Sequence, residues 1–244
     1  GWGACDPDNP KNRRRRCSIL LEKTGAAGQT IVIVDTPPDH REQVLSANLD
    51  RLDAVLLTHD HADHVHGIDD VRATVIHMRR LMPVYMDART SVIVRQRFGY
   101  CFETPIGSEY PPITREMRIT KGHEIVIEGP GGPLKAMPFE VHHGDIDALG
   151  FRFGNVAYTP DINGIPEESL KALEGLDVWI IDALRHRPHP SHFTVAEALE
   201  WISRVKPKRA ILTNLHVDLD YETLKATLPN HIEPAFDGMK IEIT

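Results

Sequence analysis

The sequence predicts an α/β fold in which two β-sheets pack together with helices on the outside. Three observations carry this. Short strand-like apolar runs recur in both halves of the 244 residues, with helical runs between them. No low-complexity linker divides the chain, so residues 1–244 read as a single domain. A dense run of histidine and aspartate directly follows one of the apolar runs, at the kind of strand end where chemistry collects.

The elements follow in order. Residues 1–17 are polar and basic, with Lys11, Arg13, Arg14, Arg15 and Arg16 close together. This is a solvated arm or, at Arg16, a contact for an anionic substrate. Ser18–Glu22 and Thr30–Asp35 read as strands joined by a turn-rich segment ending at Gly28. Residues 40–49 look helical. Asp53–Thr58 reads as a buried strand, and a helix begins near Gly67–Arg72. Pro83–Met86 suggests a strand, Ala88–Phe98 a helix, and residues 103–115 a proline-rich loop. Strands are then expected at Glu124–Glu128, Leu134–Val141, Leu149–Phe153, Val156–Thr159, Val178–Asp182 and Ala210–Thr213, with a last one at Lys240–Thr244. Helices are expected at Glu167–Glu174, Val195–Val205 and Tyr221–Leu228.

Bulk composition bounds the function. Hydrophobic content of 41% and charged content of 26% are those of a globular protein, and no apolar run is long enough to span a membrane. A formal net charge of −7 argues against bulk nucleic-acid binding. Cys5, Cys17 and Cys101 are few and scattered, which implies no disulfide framework and fits a reducing cytoplasm.

The run that organises the chain is His59-Asp60-His61-Ala62-Asp63-His64. In an extended segment alternate side chains point the same way, so His59 and His61 can hold one cation. Asp63 and His64 suit a second cation nearby. Imidazole and carboxylate donors suit zinc, and also manganese or iron.

Here the sequence resembles the metallo-β-lactamase superfamily, whose hallmark is His-x-His-x-Asp-His after a core strand. The resemblance implies the αββα four-layer sandwich and a site along one edge of the sheets. It also implies that later strand ends supply the remaining ligands. Either His142 or His143 follows the Leu134–Val141 run. Strand parity alone does not choose between them, and family members place the ligand before Gly or Ser, which selects His143. Asp161 ends the strand of Val156–Thr159 and matches the aspartate that bridges two metals in relatives acting on phosphodiesters and thioesters. The β-lactamases carry cysteine there. The last ligand is expected at His216, although relatives often read Thr-His where this chain has Thr213-Asn214; Asn214 is the alternative.

The implied centre is His59, His61 and His143 on one ion, and Asp63, His64 and His216 on the other, with Asp161 shared. Two divalent ions are expected, zinc by default and manganese as the alternative. At a spacing of roughly 3.5–4 Å they would lower the pKa of a bridging water and clamp the attacked group. Asp35, at the end of its strand, is either a plain strand-end cap or a group orienting a ligand histidine.

His192 precedes Thr194 and Glu197, a capping-box pair opening the Val195–Val205 helix. Phosphodiesterases of the superfamily carry a His-x-Thr here, so His192 is the candidate general acid and substrate contact. Asp63 is grouped with it as catalytic, and His189 is a further substrate contact. Similarity runs along most of the chain to the phosphoribosyl cyclic phosphodiesterase branch of phosphonate breakdown. It is carried by Asn12–Ser18, Gly67–Arg72, Tyr158–Asp161, Asp182–Arg185 and Phe236–Gly238. That branch holds a structural zinc on clustered N-terminal cysteines. Only Cys5 is present in this region, so no structural zinc is expected.

The implied activity is hydrolysis of a small cyclic phosphate or nucleotide-like phosphodiester in the cytoplasm. Membrane and nucleic-acid partners are not expected, and a homodimer is compatible. The alternatives are a thioester hydrolase of the glyoxalase type and a non-catalytic metal or nucleotide sensor.

Overall fold

The computed structural model describes residues 1–243. It divides into two compact units. The first-half unit is Arg16–Pro138; the second-half unit joins Gly1–Arg15 to the chain from Phe139 onward.

In the first-half unit, β1 (Ile19–Gly25) and β2 (Gly28–Val34) form an antiparallel hairpin. β3 (Ala54–Leu56), β4 (Met82–Met86) and β5 (Thr114–Arg118) then add in parallel, giving the order β1-β2-β3-β4-β5. Parallel strands need crossovers. These are supplied by α1 (His40–Ser46), by α2 (Ala62–Val65) with α3 (Arg72–Met78), and by α4 (Ala88–Phe102). Val55, Leu57, Val84 and Met86 are buried among Ile68, Val71, Val94 and Phe102, which makes one core. β5 starts in the last two residues of the expected loop and runs three residues past it. Its Thr-Arg-Glu-Met-Arg run has too little apolar content to read as a strand, and it survives as an edge that pairs only with β4. α4 also runs four residues past the expected Phe98, through a kink at that residue.

The boundary between units falls within β7 (Leu134–His143), whose first half pairs antiparallel with β6 (Ile125–Ile127). In the second-half unit β8 (Ile146–Phe153) pairs antiparallel with β9 (Val156–Thr159). β10 (Val178–Asp182), β11 (Arg209–Thr213) and β12 (Ile232–Pro234) then continue in parallel. α5 (Val195–Val205) buries Val195, Ala198 and Ile202 in a core with Trp179, Ile181 and Leu212. Its start is fixed by the expected capping box: Thr194 Oγ1 accepts from Glu197 N at 3.2 Å, and Thr194 N donates back to Glu197 Oε2 at 2.8 Å. The fully buried Trp179 satisfies its indole N–H on Thr159 Oγ1 at 3.1 Å. α6 (Tyr221–Thr227) precedes β12.

Glu167–Leu173 is a 3-10 rather than an α-helix. The expected final strand does not form over residues 240–243, and Thr244 lies outside the described residues. Alternation in Lys-Ile-Glu-Ile is compatible with a strand, but pairing also needs a vacant neighbour. Ile232–Pro234 takes the place beside β11, with Pro234 tolerated because β12 is an edge.

The register of the parallel strands aligns their C-terminal ends. Thr159 lies opposite Ile181, and Asp182 opposite Thr213. Residues just beyond these positions therefore leave the sheet in one row, the edge where open α/β sheets carry ligands.

Candidate metal centre

The first-half unit carries one donor set. β3 ends at Leu56 and the chain reaches α2 through Thr58–His61, with His61 in extended backbone as the N-cap. The rings of His59 and His61 lie 4.6 Å apart between centroids, and those of His59 and His64 4.3 Å apart. His59 and His64 are buried, while His61 and Asp63 are partly exposed.

Behind them sits Asp35, fully buried and with a left-handed backbone (φ 67°). Asp35 Oδ1 accepts from Thr58 N at 2.8 Å, and Oδ2 accepts from the Thr58 hydroxyl at 2.9 Å. His64 Nδ1 lies 2.7 Å from the same Oδ2. Because the Thr58 proton points at Asp35, its oxygen is left to accept from His59 Nδ1 at 2.9 Å. One carboxylate thus orients His64 directly and His59 through a hydroxyl. Burial pushes the Asp35 carboxyl up, and the His64 and Thr58 contacts pull it back down. In both histidines Nδ1 is engaged, which leaves Nε2 as the ring nitrogen whose lone pair would meet a metal.

The second-half unit carries the other set, gathered from several strand ends. β7 extends two residues past the expected end, so strand alternation carries through the two histidines and turns them to opposite faces. His143 is buried with Val141, whereas His142 points outward, with Nδ1 3.2 Å from Asp147 Oδ1. His143 Nδ1 donates to the Ser191 carbonyl at 2.7 Å, and its Nε2 lies 3.5 Å from Asp161 Oδ2. An imidazole lone pair and a carboxylate that face each other while buried fit a cation held by both.

His192 Nδ1 donates to Asp182 Oδ2 at 2.7 Å, and His192 Nε2 lies 3.8 Å from Asp161 Oδ2. Desolvation pushes the buried Asp182 carboxyl up to about 7, against the opposing pull of His192. A carboxyl raised by burial and set against an imidazole is an arrangement suited to moving a proton. The His189 ring lies 4.9 Å from that of His192, and burial depresses its pKa.

The last predicted ligand is placed differently. His216 is exposed, with Nδ1 3.3 Å from Asp218 Oδ2. Asn214 instead donates Nδ2 to Asp161 Oδ1 at 3.1 Å and to the Pro160 carbonyl at 3.3 Å. The expectation that two residues along keeps the same face holds only inside a strand. β11 ends at Thr213, and Asn214 has a left-handed backbone (φ 58°), so the alternation stops there.

The basic arm is built into the fold. Arg14 donates to the carbonyls of Leu215, His216 and Leu219, and Arg15 Nε donates to Asp237 at 2.7 Å. Arg16 is exposed, with its backbone N–H on Asp39 Oδ2 at 2.8 Å. Cys5 is buried and directs its thiol to the Val217 and Leu219 carbonyls. Sequence reasoning gave Asp182 no role, although it ends an apolar strand as Asp161 nearly does. The carbonyl of Ser191 and the hydroxyl of Thr58 carry no sequence signal of their own.

Residues 30–214 match the family described as "Beta-lactamase superfamily domain". A diphosphatase of the PhnP family has a solved structure that superposes with a TM-score of 0.87 at 33% identity, covering 99% of this chain and 90% of that one. An octanoyltransferase of Porphyromonas gingivalis is 33% identical over 241 residues, 97% of this chain and 46% of that protein. A ribonuclease Z of a Bradyrhizobium species is 32% identical over 152 residues, 59% of this chain and 46% of that protein. The chain thus spans about half the length of the curated relatives it matches. Among the described residues no helix is long and apolar enough to cross a membrane.

Proposed function

The chain belongs to the metallo-β-lactamase superfamily, and we propose that it is a metal-dependent phosphodiesterase acting on a small cyclic phosphate or nucleotide-like phosphodiester. The observation that carries this is the pair of buried donors His143 Nε2 and Asp161 Oδ2 beside the Asp182–His192 couple. A cation donor set next to a histidine poised by a desolvated carboxylate is what phosphodiester cleavage needs: charge stabilisation at the attacked group and a proton for the leaving oxygen.

In this reading the two units act as one hydrolase domain. His59, His61 and His143 would hold one ion and Asp63 and His64 the other, with Asp161 available to both. Two bound divalent ions would activate water and neutralise charge on the phosphoryl oxygens. The chain's own groups do the rest. Asp35 holds His64 and His59 in the tautomer that presents Nε2. Ser191 does the same for His143. Asp182 holds His192, whose Nε2 proton would go to the departing alkoxide. His189 lines the approach beside His192, and Arg16 remains an exposed candidate for an anionic group. Asn214, rather than His216, stands at Asp161. With an amide there, Asp63, His64 and Asp161 would hold the second ion, and one imidazole with two carboxylates suits manganese as well as zinc. The similarity to a PhnP-family diphosphatase supports a phosphoryl group as the point of attack. A cytoplasmic setting and a small-molecule partner belong to the same proposal.

The test is metal content per chain on protein purified without chelator, paired with turnover of bis-(p-nitrophenyl) phosphate. About two ions with turnover is the expected result. Two ions with thioester but no phosphodiester turnover would replace the reading with a glyoxalase-type hydrolase. Ions without either activity would make the chain a sensor.

A further inference from the structure

Asp60 is the residue between the two proposed ligands His59 and His61, and its carboxylate is only 7% exposed. Two arginines of α4 grip it from outside. Arg89, in the first turn, donates Nη1 to Asp60 Oδ1 at 2.7 Å. Arg97, two turns later, donates Nη1 to the Asp60 backbone carbonyl at 2.6 Å. One arginine therefore holds the side chain and the other the peptide joining Asp60 to His61.

The helix that presents them is fixed at both ends. Asp87 caps its start, accepting from Thr90 N at 2.8 Å, and Ser91 donates to Glu116 of β5 at 2.8 Å. At its far end Cys101 and Phe102 are buried, and the Cys101 carbonyl accepts from Ile113 N and Thr114 Oγ1, both at 2.8 Å. The grip is thus referenced to a rigid element rather than to a loop.

Arg97 is exposed, and exposed arginines add little to stability through surface contacts. Its contact becomes intelligible from what the carbonyl does. The plane of the Asp60–His61 peptide sets the direction in which the His61 side chain leaves the backbone relative to His59. Imidazoles on one ion must be held within fractions of an ångström.

We propose that Arg97, assisted by Arg89, is a positioning residue for the His59–His61 pair, fixing the first metal's ligands from α4 without touching the ion. The inference rests on the metal-dependent reading above. Arg95 lies on the same helix between them and pairs with Glu103 and Glu116, away from the ligand loop, so it serves as the internal control.

The experiment is titration of the full chain with zinc against a chromophoric chelator, together with the visible spectrum of the cobalt-substituted protein. Arg97→Ala is expected to weaken the tighter zinc by about 10–100-fold, the range for residues that orient ligands. It should also shift the cobalt ligand-field bands while leaving the thermal midpoint near that of Arg95→Ala. Arg97→Lys should recover part of the affinity, because an ammonium still reaches one carbonyl. Arg89→Ala strands a buried carboxylate, so adding Asp60→Asn should recover affinity lost in the single variant. Wild-type affinity and spectrum in Arg97→Ala would overturn the inference, as would equal losses in Arg95→Ala. Failure of the wild type to bind zinc or cobalt would show in the first titration, and would remove the metal reading and this inference together.

Discussion

The two units supply their donors in opposite ways. The first-half unit offers His59, His61, Asp63 and His64 from six consecutive residues, and the single carboxylate of Asp35 braces His64 directly and His59 through the Thr58 hydroxyl. The second-half unit collects His143, Asp161, His192 and Asn214 from four places in the chain, and the first three each have their own support: the Ser191 carbonyl, the Asn214 amide and the Asp182 carboxylate. A contiguous set needs one turn to be right. A dispersed set needs the register of several strands to be right, but each member can change alone.

The sharpest test of this contrast is His192→Ala. A proton donor outside the ion's grip should lower kcat by about 10²–10⁴-fold with metal content unchanged. Loss of metal as well would make His192 a further ligand beside His143 and Asp161.

The next test lies in the contiguous half. His40, first residue of α1, is 1% exposed, and neither ring nitrogen has a hydrogen-bond partner among the described residues. Burial lowers its pKa to about 4. The unfolded chain therefore takes up the proton first as pH falls through about 6.5, and stability drains away until about pH 4, by about 3 kcal/mol. His40→Leu should flatten the fall in denaturation midpoint between those pH values. An unchanged pH profile would clear His40 of that role.

Gly67→Ala probes the same half sterically. A Cβ there would sit 2.0 Å from the Pro37 carbonyl oxygen, so backbone must move. A loss of about 1–3 kcal/mol in chemical denaturation is expected. A stability within error of wild type would mean that the turn after the ligand helix yields more easily than its contacts suggest.

The smallest effects separate two candidates for one position. Asn214→Ala should cost about 10–100-fold in activity or metal affinity, as residues that orient ligands do. His216→Ala should cost less than a few-fold. The reverse ranking would return His216 to the ion and require the loop after β11 to rearrange on binding.

This contrast also explains what could be read from the residues. The sheet strands were legible wherever apolar alternation was strong, and the His59–His64 motif was legible because its members are adjacent. Asp161 was legible as a carboxylate ending an apolar strand, yet Asp182, with the same signature, drew no role. Its importance comes from burial and from a histidine ten residues on, neither of which is a local property. Asn214 was ranked below His216 because strand parity was carried past the end of β11, where the left-handed turn cancels it. β5 was missed because an edge strand held by one neighbour needs little apolar content. The arm of Arg13–Arg16 reads as a solvated arm or an anion contact, whereas Arg14 is occupied with main-chain carbonyls that a sequence cannot display.

The aligned ends of β9, β10 and β11 have a consequence for how such a protein diversifies. Positions 161, 182 and 214 behave like teeth of a comb whose spine is the sheet register. A tooth can be exchanged by a single codon change, cysteine for aspartate or asparagine for histidine, while the spine stays intact. Inserting one residue within any of the three strands would instead turn every later side chain to the opposite face and blunt the row. Lineages descending from such a scaffold should therefore differ at the teeth by substitution and accumulate length changes only in the loops beyond them.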